Sequence, residues 1–433
     1  MRNKLLAVVI FLISTPLFAG PKIHQWTSDK GVRVFYVHAP GLPLLDMRLV
    51  FDAGSVRDGE QYGIASMTAD LLGVATRQWN ADQIAERLEG VGANLSSGAS
   101  RDLGYISLRC LTQDKILKSS LQTLEGVLTE AEFPEADFKR EKARTLVGLK
   151  HREESPRAIA TIKYYNVLYG EHPYAHPSAG NIDTVKPLTA DDLRNFYQKY
   201  YVANNATAII VGDVSRQKAA DIVDQVFAKL PAGVRAPKIL GVSADSPGQR
   251  SDIEFPSAQT HIYSGAPVLS RHDDDYFALY VGNHILGGSG LISRISDEVR
   301  EKRGLSYSAY SYFSPMAEKG PFTMGLQTRN DQAEEALKVL NQTVADFVEN
   351  GPTDEELRAA KKNITGGFVL RIENNSKITG YTAMIAFYGL ALDYLDTFNA
   401  KVEAVSREDI MDAFKRRVKP SQFKTVLVGG KGS

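Results

Sequence analysis

Apolar residues along this chain fall into two kinds of run. Short runs rich in Val, Ile, Tyr and Phe occur at "RVFYVHA", "LLDMRLVFDAG", "YISLRCL" and "ATAIIVG" in the first half, and at "QTHIYSGAP", "YSAYSYF", "FTMGLQT" and "KTVLVGG" in the second. These are strand patterns. Between them lie longer stretches with helical signals. "TADDLRNFYQKYY" and "SREDIMDAFKRRV" each open on Thr or Ser followed by acidic residues, an N-cap signature that starts a helix.

The same order of elements occurs twice. Residues 189–213 and 406–430 each run from that N-cap through a helix to an apolar strand ending in Val-Gly, and Gly212 and Gly429 are 217 residues apart (429 − 212). "FPEADFKREKA" and "GPTDEELRAAKKN" repeat at nearly the same offset, each with a proline, an acidic first turn and a basic helix leading to "VLYG" or "AFYG". The chain therefore reads as a duplicated unit. The segment "PAGVRAPKILGVSADSPGQRSD", residues 231–252, joins the copies with linker composition. The expectation is an α+β protein of two homologous domains, 20–230 and 253–433, each a mostly antiparallel sheet with helices on one face.

Length agrees, since 433 residues exceed what one hydrophobic core usually holds. Residues 1–19 place Arg2 and Lys4 before an apolar run from Leu5 to Phe18, which as a helix spans about 21 Å and falls short of a bilayer core. Ala19 supplies a small residue at the end. This is the pattern of a cleavable signal peptide, and it predicts a periplasmic mature chain. Without it, 49 basic residues (51 − 2) face 51 acidic ones, a balance with no electrostatic footprint for nucleic acid or anionic lipid. No other segment is apolar enough for stable membrane insertion. The single cysteine, Cys110, lies in a strand pattern and reads as core.

The stretch "DEVREKRGLSY", residues 297–307, sets Arg300 and Tyr307 seven residues apart across a helix–strand junction. On these residues alone the pair is a helix end and a strand start. The surroundings add a resemblance. "YFALYVGNHILGGSGLISRISDEVREKRGLSYSAYSYF" with "GPFTMGLQT" resembles the second half of the insulinase-type metallopeptidases, the family of pitrilysin and the mitochondrial processing peptidases. "FDAGSVRDGEQYGIASMTADLLGVAT", "VGANLSSGASRDLGYISLRCL" and "YGEHPYAHPSAGNIDTVKPLTADDLRNFYQKYY" resemble its first half. The resemblance implies a zinc site on His-x-x-Glu-His with a distant Glu as third ligand, the inner Glu acting as general base.

This sequence departs from that pattern. Ser66, Ala69 and Asp70 stand where His, Glu and His belong, and Val147 or neighbouring Gly148 where the third ligand is expected. No metal is expected in this chain. The resemblance further implies that an Arg and a Tyr seven apart project into the active site to bind the substrate backbone and the developing oxyanion, and Arg300 and Tyr307 occupy those positions. If the strand begins at Tyr307, the pleat puts it on one face with Ala309, Ser311 and Phe313, and Tyr310 and Tyr312 on the other as packing residues.

Other signals are weaker. "LGGSG" lacks the Gly-Lys-Ser/Thr of a phosphate loop and reads as a close-packed turn, or, by the resemblance, as substrate-guiding Gly287, Gly288 and Gly290. "ANLSSGAS", with Asn94, matches the family's peptide-pairing edge strand. His172 and His176 are four apart, but Pro173 and Pro177 argue against a helical metal site. The function expected is a non-zinc subunit of a heterodimeric zinc peptidase acting on peptides, with zinc and His-x-x-Glu-His in a partner subunit. The alternative is a catalytically inactive scaffold or peptide-binding protein of the same fold.

Overall fold

The computed structural model describes residues 20–243 and 246–430. The expected signal peptide lies outside the described residues. The first half forms a six-stranded sheet from β1 (His24–Thr27), β2 (Arg33–His38), β3 (Leu44–Phe51), β4 (Asn94–Ala99), β5 (Gly104–Leu111) and β6 (Ala206–Gly212), ordered β1-β2-β6-β3-β5-β4. The second half forms a five-stranded sheet from β7 (Gln249–Glu254), β8 (Gln259–Leu269), β9 (Ala309–Phe313), β10 (Gly320–Arg329) and β11 (Lys424–Gly429), ordered β7-β11-β8-β10-β9. Removing β1 leaves one order written twice, as the repeat demands. The β2–β6 and β7–β11 pairs are parallel and the remaining neighbours antiparallel. Both predicted N-caps form. Thr189 and Ser406 close capping boxes with Asp192 and Asp409 at the starts of helices Ala190–Tyr200 and Arg407–Arg417.

One boundary needs correction. β7 begins at Gln249, inside the segment expected as linker, and pairs with β11 from Gln249 to Glu254. Its sequence, QRSDIE, is charged because the strand lies at a sheet edge, with alternate residues exposed.

Each sheet carries its own helices on one face and receives one helix from the other half. The first-half helices are α1 (Ile64–Leu71), α2 (Ala81–Glu89), α3 (Asp114–Thr129), α4 (Glu135–Glu153) and α5 (Pro156–Tyr169). Ser155 caps α5 and Pro156 occupies its first turn. α5 then packs on the second sheet: buried Tyr164 donates its hydroxyl to the Phe322 carbonyl at 3.1 Å, and Tyr169 donates to the Lys319 carbonyl at 3.1 Å. Reciprocally, helix Asn375–Tyr388 sets Ala383, Ile385 and Ala386 against the face of the first sheet that carries Phe35, Val37, Ile209 and Val211. Arg33 fixes this contact by donating to the Ala386 carbonyl at 3.2 Å.

Asp102 knots the two halves. It is buried, and its carboxylate accepts from the hydroxyls of Tyr174 at 2.5 Å and Tyr388 at 2.8 Å and from the Ala317 N–H at 2.9 Å. Among the described residues no helix is long and apolar enough to cross a membrane. Cys110 is buried in β5, and burial pushes its thiol up to about 11, as a core thiol requires.

Candidate functional site

The Arg300 turn is wider than an α-helical one, with the Lys302 N–H reaching back to the Asp297 carbonyl at 2.9 Å. It closes through Gly304 N–H to the Arg300 carbonyl and Leu305 N–H to the Val299 carbonyl, both 2.9 Å. That closure puts Gly304 at φ +61°, a left-handed conformation that favours glycine. Val299 and Leu305 are buried beneath. The Ser306 hydroxyl is held at the Ser308 and Gln327 carbonyls, 2.8 and 2.7 Å away, and Thr328 donates to the Leu305 carbonyl at 2.5 Å. The backbone on both sides of Tyr307 is thereby fixed.

The Tyr307 side chain, in contrast, stands free. It is 81% exposed, and Arg300 lies over its ring with the guanidinium carbon 4.7 Å from the centroid. The neighbouring cations are already paired, Lys302 with Asp297 and Glu298 and Arg303 with Glu298. Arg300 has only a long contact to Glu301, at 3.4 Å. The structure thus brings Arg300 and Tyr307 together on a turn whose backbone is fixed.

The expected place of Tyr307 on the pleat of β9 does not hold. β9 starts at Ala309, so Tyr307 precedes the strand and strand alternation does not orient it. For the residues within β9 the alternation holds. Ala309 and Ser311 are buried, whereas Tyr310 and Tyr312 stack on the opposite face with centroids 5.9 Å apart. Burial raises both phenols above their usual range.

Of the degenerate zinc-motif positions, Ser66, Ala69 and Asp70 lie on α1. Ala69 is fully buried, and its carbonyl accepts from the Ser97 hydroxyl of β4 at 2.7 Å. Asp70 faces Glu141 and Arg144 of α4, and desolvation together with the Glu141 charge pushes its carboxyl above the ordinary range. Val147, on α4, is 58% exposed. Ser66 lines a cavity of about 550 Å³ shared with Arg101, Arg152 and Arg157 and with no acidic residue. A cavity whose charged lining residues are all arginines does not fit a zinc ion, whose ligands are thiolate, imidazole or carboxylate. Among the described residues no cluster of three or more His, Cys, Asp or Glu could hold a metal.

His172 and His176 serve packing. His172 accepts from the Tyr174 N–H at 3.1 Å, while His176 sits 3.0 Å from the Ser55 carbonyl and 3.3 Å from Asp58 and stacks on Tyr62. Asp58 in turn accepts from the Gly63 and Ala65 N–H groups and so anchors the start of α1. Asn94 opens the edge strand β4. Gly287 lies against β9 so closely that a Cβ would come within 2.4 Å of the Ser311 nitrogen. Gly288 and Gly290 line a neighbouring cavity.

Comparison with known proteins gives the family. Residues 33–181 match the family described as Insulinase (Peptidase family M16), and residues 187–364 match its Peptidase M16 inactive domain. A Streptomyces coelicolor protein named as an uncharacterized zinc protease is 28% identical over 78% of this chain and 75% of its own length. A Helicobacter pylori protein named as the non-peptidase homolog YmxG is 25% identical over 99% of both. The crystal structure titled peptidase M16 inactive domain from Pseudomonas fluorescens superposes with a TM-score of 0.91 at 35% identity, covering 94% of this chain and 98% of that one. The chain belongs to the insulinase-type M16 peptidase family, as a member whose zinc-motif positions carry no zinc-binding set.

Proposed function

We propose that this chain is the non-zinc subunit of a two-chain M16 peptidase of the periplasm, and that Arg300 and Tyr307 complete an active site whose metal belongs to the partner. The observation that carries the reading is the exposure of Tyr307 beside Arg300, on a turn whose backbone is fixed from both sides. An 81%-exposed tyrosine buries little apolar surface, so core packing does not account for it.

The partner would carry His-x-x-Glu-His, and its zinc and Glu would supply an activated water when bound. This chain's part is to receive charge. As the scissile carbonyl oxygen becomes negative, the Arg300 guanidinium and the Tyr307 hydroxyl donate hydrogen bonds to it from a turn whose backbone is fixed. Losing one such donor typically costs about 2.7–4 kcal/mol of barrier stabilisation. An extended peptide would pair along the edge strand of a sheet, the backbone-directed mode that tolerates many sequences.

The alternative, an inactive scaffold of the same fold, draws on the name of the Helicobacter relative, a non-peptidase homolog. Purifying the tagged chain from its native envelope fraction tests both. A stoichiometric partner carrying His-x-x-Glu-His, with about one zinc per pair and none in this chain alone, is the result expected. A chain recovered alone or only with itself, and free of zinc, overturns the two-chain reading.

A further inference from the structure

The cavity of about 550 Å³ beside Ser66 has the volume of a ligand pocket and a charge of one sign. It opens between α1, the end of β4 and the junction of α4 with α5, and its charged lining side chains are Arg101, Arg152 and Arg157. Arg152 and Arg157 are exposed and Arg101 is half-buried, so all three keep accessible surface. None of them forms an ion pair among the described residues. Glu153 and Glu154 follow Arg152 along the chain, but neither lines the cavity, and Glu154 is turned to His151 at 3.5 Å.

The contacts that these arginines do make are to neutral groups. Arg101 donates from Nε to the Tyr174 carbonyl at 3.2 Å and lies over the Tyr165 ring, its guanidinium carbon 3.7 Å from the centroid. Arg157 meets the Tyr263 phenol. The Arg152 side chain has no partner among the described residues, and neither has the half-buried Ser66 hydroxyl. A cleft lined by one sign of charge concentrates ions of the other sign, so the cavity selects for an anion. Its place in the fold says what carries that anion. Ala99, the last residue of β4, is in the cavity wall, and β4 is the edge of its sheet. An extended peptide laid along that edge would run into the cavity.

We infer that this cavity binds a carboxylate of a peptide that lies along the β4 edge. The Arg152 and Arg157 guanidiniums take the carboxylate, Arg101 adds its charge from the Tyr165 ring, and the Ser66 hydroxyl is a further donor. Arg is suited to this task because its planar fork matches a carboxylate. The group belongs to an acidic side chain or to the peptide's own C-terminus, one chemistry from two sources. The inference takes from the proposed function only that the ligands are peptides. It needs no partner subunit, so binding by this chain alone is read apart from the two-chain reading.

The test is fluorescence anisotropy on the chain from Gly20 onward, with three octapeptides of Ala, Ser and Gln labelled at the N-terminus with a neutral dye. One is C-terminally amidated and carries a central Glu, one has no Glu and a free C-terminus, and one is amidated with no Glu. At least one of the first two is expected to bind about tenfold or more tighter than the third, and which one does so names the source of the carboxylate. Arg152→Gln and Arg157→Gln should each weaken that binding about fivefold or more with the melting curve unchanged. Thr161→Glu, which sets a carboxylate in the cavity wall, should weaken it about tenfold or more. Arg358→Gln, which removes an exposed cation on helix Asp354–Gly367 outside the cavity, should leave it unchanged. Should Arg157→Gln fail to fold for loss of its Tyr263 contact, Arg152→Gln and Thr161→Glu still decide. Equal binding of all three peptides, binding of none, or wild-type binding by both Arg152→Gln and Thr161→Glu overturns the inference.

Discussion

The motif positions on α1 and the turn at 297–307 contrast sharply, although both belong to halves built on one strand order. On α1 the middle position, Ala69, has become part of the packing, while Ser66 is half-buried and Asp70 lies at the surface near Glu141 and Arg144. Ala69 is fully buried, its carbonyl holds Ser97, and Ser66 lines a cavity whose charged residues are all arginines. At 297–307 the backbone is fixed by Ser306 and Thr328 while the side chains of interest stay outside the core. When a chemical position loses its task, packing and neighbouring charges redefine it. Tyr307 is exposed on a turn whose backbone is fixed, and the proposed role rests on that difference.

The knot beneath this contrast is expected to show the largest effect. Asp102→Ala would strand the buried Tyr174 phenol, the half-buried Tyr388 phenol and the Ala317 N–H, and should cost about 3 kcal/mol or more, read by denaturant unfolding. A loss under about 1 kcal/mol would show that the halves are held by their apolar contacts and the other hydrogen bonds between them rather than by this knot.

Ala69→Glu comes next. Restoring the family's general-base position forces a carboxylate into a fully buried site, so a loss of about 2–3 kcal/mol is expected. Accommodation at no cost would mean that α1 still keeps an open active-site face, and the contrast would blur.

Glu356 sharpens the comparison from the supporting side. Burial works to raise its carboxyl, but hydrogen bonds from Arg294 and from Thr353 win and hold it at about 2. A folded value below the unfolded one gives stability that is present above about pH 4.3 and is lost as pH falls toward about 2. Glu356→Gln should therefore cost about 1–2 kcal/mol at pH 7 and leave a weaker loss of stability between pH 4.5 and 2.5, measured by thermal melts across pH. An unchanged acid profile would remove Glu356 from the account.

The smallest effect is the most telling for the site. Tyr307→Ala should change stability by no more than about 0.5 kcal/mol, because an exposed ring over one guanidinium contributes little. A loss of 2 kcal/mol would make Tyr307 a structural residue.

Much of this was legible beforehand because it is local. The Thr189 and Ser406 caps, the apolar strands and the 217-residue repeat are written in neighbouring residues, and each formed as expected. The exchange of helices was not legible. α5 and helix Asn375–Tyr388 each meet the sheet of the other half, so no local pattern states which sheet they cover. β7 escaped because QRSDIE owes its strand form to pairing with β11, far along the chain, rather than to its own apolar content. The start of β9 was misjudged because the Ser306 hydroxyl ties up carbonyls there and delays the ladder to Ala309. The contact of Arg300 with Tyr307 depends on the Gly304 turn, and the cavity beside Ser66 joins residues of α1, the end of β4 and the junction of α4 with α5.

The account rests on Arg300 and Tyr307 acting in a site completed by another chain. Its most direct test is steady-state turnover of a generic fluorogenic peptide by the reconstituted pair, with wild-type, Arg300→Ala or Tyr307→Phe chains and assembly followed by size-exclusion chromatography. The account predicts that each substitution lowers kcat about a hundredfold or more while the pair elutes unchanged. Wild-type turnover from both substituted pairs would contradict it and leave this chain a scaffold.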